Sequence, residues 1–171
     1  MNRLILAVLA TGLAGPAAAA ELHLDIEVPR IHVAEYHKPY VAIWIANPDQ
    51  TVAADLGVWY QLSDGPEGEG TTWLKDLRQW WRRSGRNLDL PVDGVTGATR
   101  GPGRHALRFP ADTPPLAQLP SGDYLLVVEA VREVGGREML KIPFRWAGEA
   151  FSAQAAGEHE LGNVFLKITP N

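Results

Sequence analysis

Short runs of bulky apolar residues alternate with polar ones along most of this chain, and that period of two is what most constrains its fold. Leu22, Leu24, Ile26 and Val28 alternate in the pattern of a half-buried strand. Tyr40 to Ile45 form a second run, ended by the turn signal Asn47-Pro48-Asp49. Leu56 to Leu62 form a third, ended by Ser63-Asp64-Gly65-Pro66, and Ala106 to Phe109 a short fourth. Tyr124 to Ala130 follow a Pro120-Ser121-Gly122-Asp123 turn. Gly135-Gly136 then predict a tight turn into a sixth run, where Leu140, Ile142, Phe144 and Trp146 alternate. Asn163 to Ile168 make the last. Seven short strands punctuated by Pro and Gly predict a mainly β chain folded as an antiparallel two-sheet sandwich. No repeat or linker divides residues 21–171, which are expected to form a single domain.

Residues 1–20 read as a secretory signal peptide. Asn2 and Arg3 open it, Leu4 to Ala10 supply a short apolar stretch, and Ala17 to Ala20 offer a small-residue cleavage site. The apolar stretch is too short to span a bilayer. Export places the mature chain in the periplasm, with cleavage near Ala20 and no transmembrane segment beyond it. The chain contains no cysteine, so packing alone must hold the fold, and thiolate metal sites are excluded. The formal charge is −4, which argues against nucleic-acid binding.

One segment breaks the alternation. Thr72 to Arg83 predict a helix of three turns, with Thr71 or Thr72 as its cap and Gly85 as its stop. Trp73, Leu74, Leu77, Trp80 and Trp81 share one face, and Lys75, Arg78 and Arg82 another. Such a short amphipathic helix, inserted in the sandwich, is expected to plug one of its ends.

The segment Asp93-Gly94-Val95-Thr96-Gly97-Ala98-Thr99 resembles the acceptor motif for covalent flavin attachment: Asp, two variable residues, Ser or Thr, Gly, Ala, Thr. Average residue usage makes a chance match rarer than about one in a thousand chains of this length. The resemblance implies FMN linked through a phosphoester to Thr99 by a separate FAD:protein FMN transferase. No His or Lys adjoins Thr99 in sequence to activate it, which agrees with modification by another enzyme. An acceptor must be presented to that enzyme, so Thr99 is expected on an exposed, pliable loop rather than in a ladder. Gly94, Gly97, Gly101 and Gly103 would supply the loop. Thr96, Gly97 and Ala98 belong to the motif, Asp93 would form an Asx turn, and Arg100 would pair with the attached phosphate. The helix just upstream would offer Trp80 or Trp81 to the isoalloxazine ring and Arg78 or Arg82 to its phosphate.

The likeness extends beyond the motif. Lys75-Asp76-Leu77-Arg78-Gln79-Trp80-Trp81-Arg82, then Asp93 to Pro102, Gly122-Asp123-Tyr124 and Val128-Glu129-Ala130, resemble an uncharacterised bacterial family of predicted periplasmic proteins. That family accompanies PepSY-type membrane flavoproteins and the FMN transferase. The resemblance therefore implies a periplasmic electron-transfer protein rather than an enzyme, partnered by a membrane flavoprotein or other membrane redox protein. The larger FMN-binding domains of respiratory complexes share the motif but not the surrounding sequence. Separately, Leu119-Pro120-Ser121-Gly122-Asp123-Tyr124 and the strand after it resemble immunoglobulin-like modules with a Pro-x-Gly-x-Tyr turn, which implies an Ig-like sandwich.

Two other readings remain open. One is a cofactor-free Ig-like binding or scaffold module of a redox assembly, using the Trp/Arg face. The other is a periplasmic metal-binding protein using His23, His32 and His37. Tyr36, His37, Pro39 and Tyr40 form an aromatic patch, and Glu158-His159-Glu160 a polar turn. No hydrolase motif or phosphate loop is present.

Overall fold

The computed structural model describes residues 20–65 and 68–170. The leader expected over residues 1–20 lies, but for Ala20, outside the described residues. Two sheets face each other, as the alternation requires. The four-stranded sheet is ordered β5 (Gly103–Pro110), β1 (Glu21–Val28), β9 (Asn163–Thr169) and β8 (Phe151–Ala156). The five-stranded sheet is ordered β4 (Thr96–Ala98), β3 (Val52–Tyr60), β2 (Tyr40–Ala46), β6 (Gly122–Val131) and β7 (Arg137–Trp146). All pairings are antiparallel except β3 with β4, which run parallel.

The inner faces meet in a core that includes Leu22, Leu24, Ile26, Ile43, Leu126 and Leu166, each at most 1% exposed. Removing this apolar surface from water is the main force holding the sheets together. The Ig-like turn is present in detail: the Tyr124 hydroxyl donates to the Pro120 carbonyl at 2.8 Å, a tyrosine corner.

A second core lies on the outer face of the five-stranded sheet. Ala42, Trp44, Val58, Tyr60 and Val127 point outward and are covered by Leu74, Leu77 and Trp80 of the insert between β3 and β4. The insert therefore packs across a sheet face, not in an end of the sandwich as its sequence predicts. The β2 strand is consequently buried on both faces.

The expected three-turn helix is also divided. A 3₁₀ segment covers Gly70–Asp76, and α1 covers only Arg78–Arg83. Neither threonine caps it. The cap comes from across the fold, where the fully buried Glu129 on β6 accepts the backbone N–H groups of Gln79 and Trp80 at 3.1 and 2.9 Å. Drawing two first-turn donors to that carboxylate starts a new helix there. Gly85 does follow the helix, but for space: a Cβ on it would sit 2.5 Å from the Trp80 ring.

Candidate functional site

The acceptor motif lies at the edge of the five-stranded sheet. Its upstream turn is closed by Val92, whose carbonyl accepts the N–H groups of Val95 and Thr96 at 3.2 and 2.9 Å. The Val92 N–H donates in return to the Thr96 hydroxyl at 2.8 Å. These contacts take the place of the expected Asx turn at Asp93, which is exposed. Gly94 needs its lack of side chain, since its φ is +72°.

Thr96, Gly97 and Ala98 then pair with Val58, Trp59 and Tyr60. Gly97 lies flat on Trp59, where a Cβ would approach the indole to 3.3 Å. Thr99 continues this ladder through its N–H, which donates to the Tyr60 carbonyl at 3.0 Å. Its hydroxyl donates to the Pro39 carbonyl at 2.7 Å. Thr99 is thus half-buried and held at two points, which corrects the expectation of a pliable loop outside any ladder. Of the glycines around it, Gly97 serves close packing, whereas Gly94 and Gly103 serve backbone freedom, with φ at +72° and +145°.

Successive side chains of an extended segment point to opposite sides. Thr99 accordingly lines a groove of about 600 Å³, whereas Arg100 does not. The Arg100 guanidinium lies 4.2 Å from the centroid of Trp59, itself met edge-on by His105. Burial lowers the Arg100 pKa below its ordinary value. Arg100 is therefore stacked on an indole, away from the Thr99 groove where the sequence reading puts it. Asp93 and Thr96 face a second hollow of about 540 Å³. Burial raises the Tyr60 phenol there, against a hydrogen bond from Thr96 that lowers it.

The helical residues expected beside the flavin are elsewhere. Trp80 is fully buried, and its indole N–H donates to Asp55 at 2.9 Å, so neither ring face is open for stacking. Trp81 packs at the margin of the outer core. Arg82 is exposed and donates to Gln79, while exposed Arg78 borders a separate small hollow. The insert does reach the Thr99 groove, but through Trp73, which is 42% exposed, and Asp76.

The rest of the groove comes from segments far apart in sequence. Tyr36, His37 and Lys38 enter from the β1–β2 connection, Tyr40 from the start of β2, and Arg132, Glu133 and Val134 from the β6–β7 turn. Only the aromatic patch at 36–40 was visible in the sequence. The volume is that of a small-molecule or cofactor site, and its walls combine the aromatic side chains Tyr36, Tyr40 and Trp73 with the charged Lys38, Asp76, Arg132 and Glu133. Lys38 adjoins Pro39, the partner of Thr99, lines the same groove, and among the described residues has no ion pair. Val134, at the rim, is 77% exposed and holds φ at +51°, a strained conformation for a β-branched residue.

The histidines do not converge. His23 bonds the Thr169 hydroxyl at 2.9 Å, His37 sits between Glu35 and Glu133, and His32 is exposed. Among the described residues no three metal-ligating side chains come together, so nothing here favours the metal-binding reading. The polar turn at 158–160 contains a surprise: Glu160 is buried, 4% exposed, in an ion pair with Arg132.

A family model described as a predicted periplasmic protein (DUF2271) matches residues 21–163. No curated protein and no solved structure matches the chain. Among the described residues no helix is long and apolar enough to cross a membrane.

Proposed function

The chain belongs to the DUF2271 family of predicted periplasmic proteins, and we propose that it carries FMN covalently on Thr99 and works as a periplasmic electron-transfer protein. The observation that carries this reading is the position of the Thr99 hydroxyl, fixed on the wall of a cofactor-sized groove whose other walls include Tyr36, Tyr40 and Trp73. The motif supplies the attachment atom, and the groove offers the tethered ring a place to lie.

Attachment follows export and removal of residues 1–20. On the FAD:protein FMN transferase, with Mg²⁺ and FAD, the Thr99 Oγ bonds to the flavin-bearing phosphorus. The pyrophosphate P–O bond breaks, AMP leaves, and the hydroxyl proton passes to a base of the transferase. The Pro39 carbonyl holds the hydroxyl in place beforehand, and Lys38 offers charge to the phosphate afterwards. The flavin supplies reversible electron uptake; the chain supplies tethering, orientation and the polarity around the ring. A PepSY-type membrane flavoprotein or another membrane redox protein is the exchange partner. The tether keeps the cofactor from diffusing away.

The test is expression of the exported protein with and without an active transferase, followed by intact mass and a visible spectrum. The expected product is yellow and heavier by one FMN less water, and Thr99→Ala loses both. A protein that stays unmodified beside a transferase active on another substrate would overturn the reading and leave the cofactor-free scaffold.

A further inference from the structure

Most buried polar atoms in folded proteins have a hydrogen-bond partner, so buried exceptions clustered in one groove call for a ligand. Three occur among the described residues: the Tyr36 hydroxyl, Arg132 Nη1 and His37 Nε2. All three residues line the Thr99 groove. Arg132 is the most constrained, with its side chain 6% exposed. Its Nε and Nη2 donate to Glu160 at 2.9 and 3.1 Å, and Glu160 also accepts the Gly136 N–H at 2.7 Å. That fork fixes the guanidinium plane and leaves Nη1 as a spare donor. The guanidinium carbon lies 5.9 Å from the Tyr36 ring. His37 Nε2 is 3.2 Å from a Glu35 carboxylate oxygen but not in hydrogen-bonding geometry.

We infer that Tyr36 and Arg132 form a donor corner that binds the carbonyl edge of a flat, neutral ring. The charge balance selects the ligand class. Glu160 neutralises Arg132, and Glu35, Glu133 and Asp76 on the groove or its rim outnumber Lys38, its other lining cation, which adjoins Pro39, the partner of Thr99. A carboxylate or phosphate would meet net negative charge there, whereas a carbonyl gains the two donors without penalty. Burial raises the Tyr36 phenol above its ordinary value, outweighing the Arg132 charge that lowers it, so the hydroxyl stays protonated. Trp73 and Tyr40 supply apolar area for the ring faces. Resting on the flavin reading above, the ligand edge is the pyrimidine side of the isoalloxazine, which presents two carbonyls flanking an N–H.

The test uses lumiflavin, the ring without its phosphate chain, titrated into the unmodified mature chain and followed by quenching of flavin fluorescence. Saturable quenching is expected, weakened about tenfold in Tyr36→Phe, the effect of one lost hydrogen bond. Tyr36→Phe removes a single oxygen atom, and an unchanged thermal transition shows that the fold is intact. Absence of quenching by the wild type, equal affinity in Tyr36→Phe, or displacement by inorganic phosphate would each overturn the inference. If Thr99 gains FMN while Tyr36→Phe binds lumiflavin as the wild type does, the corner fails and covalent attachment stands. If no adduct forms yet lumiflavin binding still depends on Tyr36, attachment fails and the corner stands.

Discussion

Thr99 holds two hydrogen bonds that respond differently to substitution. The backbone bond to Tyr60 survives any side chain, while the hydroxyl bond to Pro39 requires Thr or Ser. Thr99→Ala should therefore cost about 1 kcal/mol, seen as a loss of about 2–4 °C in a thermal melt that stays cooperative. Thr99→Ser should melt like the wild type. A Thr99→Ala chain without a cooperative transition would show that the residue is structural first. At this scale the motif singles out Thr99, whose hydroxyl the fold fixes in the groove, while Trp80 and Arg100, expected beside it, lie elsewhere. Under the proposed attachment, the motif marks Thr99 because a phosphoester needs its hydroxyl. Tyr36 and Arg132 carry no such mark, since a buried guanidinium with one idle nitrogen looks in sequence like any surface arginine. Proximity in sequence instead pointed to Trp80 and Arg100, which the fold turns away from the groove.

At the scale of elements, the insert is joined to the sheet through Glu129. Its carboxylate takes the Gln79 and Trp80 N–H groups and pairs with Arg137 at 2.8 Å. Glu129→Ala leaves those buried donors unpaired, at about 1–3 kcal/mol for each group left unsatisfied. Hydrogen exchange should speed up over residues 78–83 well before it does in β1 or β9. Uniform acceleration through both sheets would contradict this division of the molecule into sandwich and insert. The strands with bulky alternating side chains were legible because burial on one face imposes that pattern. The β8 strand was not, because Ser152, Ala153, Ala155 and Ala156 are too small to show it. The β4 strand was missed because Gly97 and Ala98 read as a loop, although their smallness is what lets the strand lie on Trp59. The helix break was hidden because its cause, Glu129, lies about fifty residues away.

Across the whole molecule, turns from the two sheets are tied together at one end. Glu138 on β7 accepts four backbone N–H groups, from Glu158 to Leu161, in the turn between β8 and β9. Burial opposes its ionisation, but those donors together hold its pKa below the ordinary 4.5. Glu27 is lowered as well, first by the Asn163 backbone N–H and then by the Asn163 side chain. A carboxylate whose folded pKa is depressed stabilises the fold fully above its unfolded pKa. That contribution is lost as pH falls through the folded value. The urea midpoint should therefore hold from neutral pH down to the ordinary carboxylate range and decline below about 4.5, the unperturbed glutamate region. Glu138→Gln should flatten the decline, and an unchanged slope would remove Glu138 from the explanation.

The parallel pairing of β3 with β4 also determines how Thr99 relates to the rest of the molecule. The chain leaves the sheet at the end of β3 and returns at Thr96 to pair with the strand it left. The excursion is a closed circuit of chain, and Thr96 to Thr99 are its buckle. β4 is an outermost strand, so no other strand owes its neighbours to the circuit. The sandwich is the chassis, and the stretch bearing Thr99 closes a panel fastened to one of its rails and bolted across its outer face.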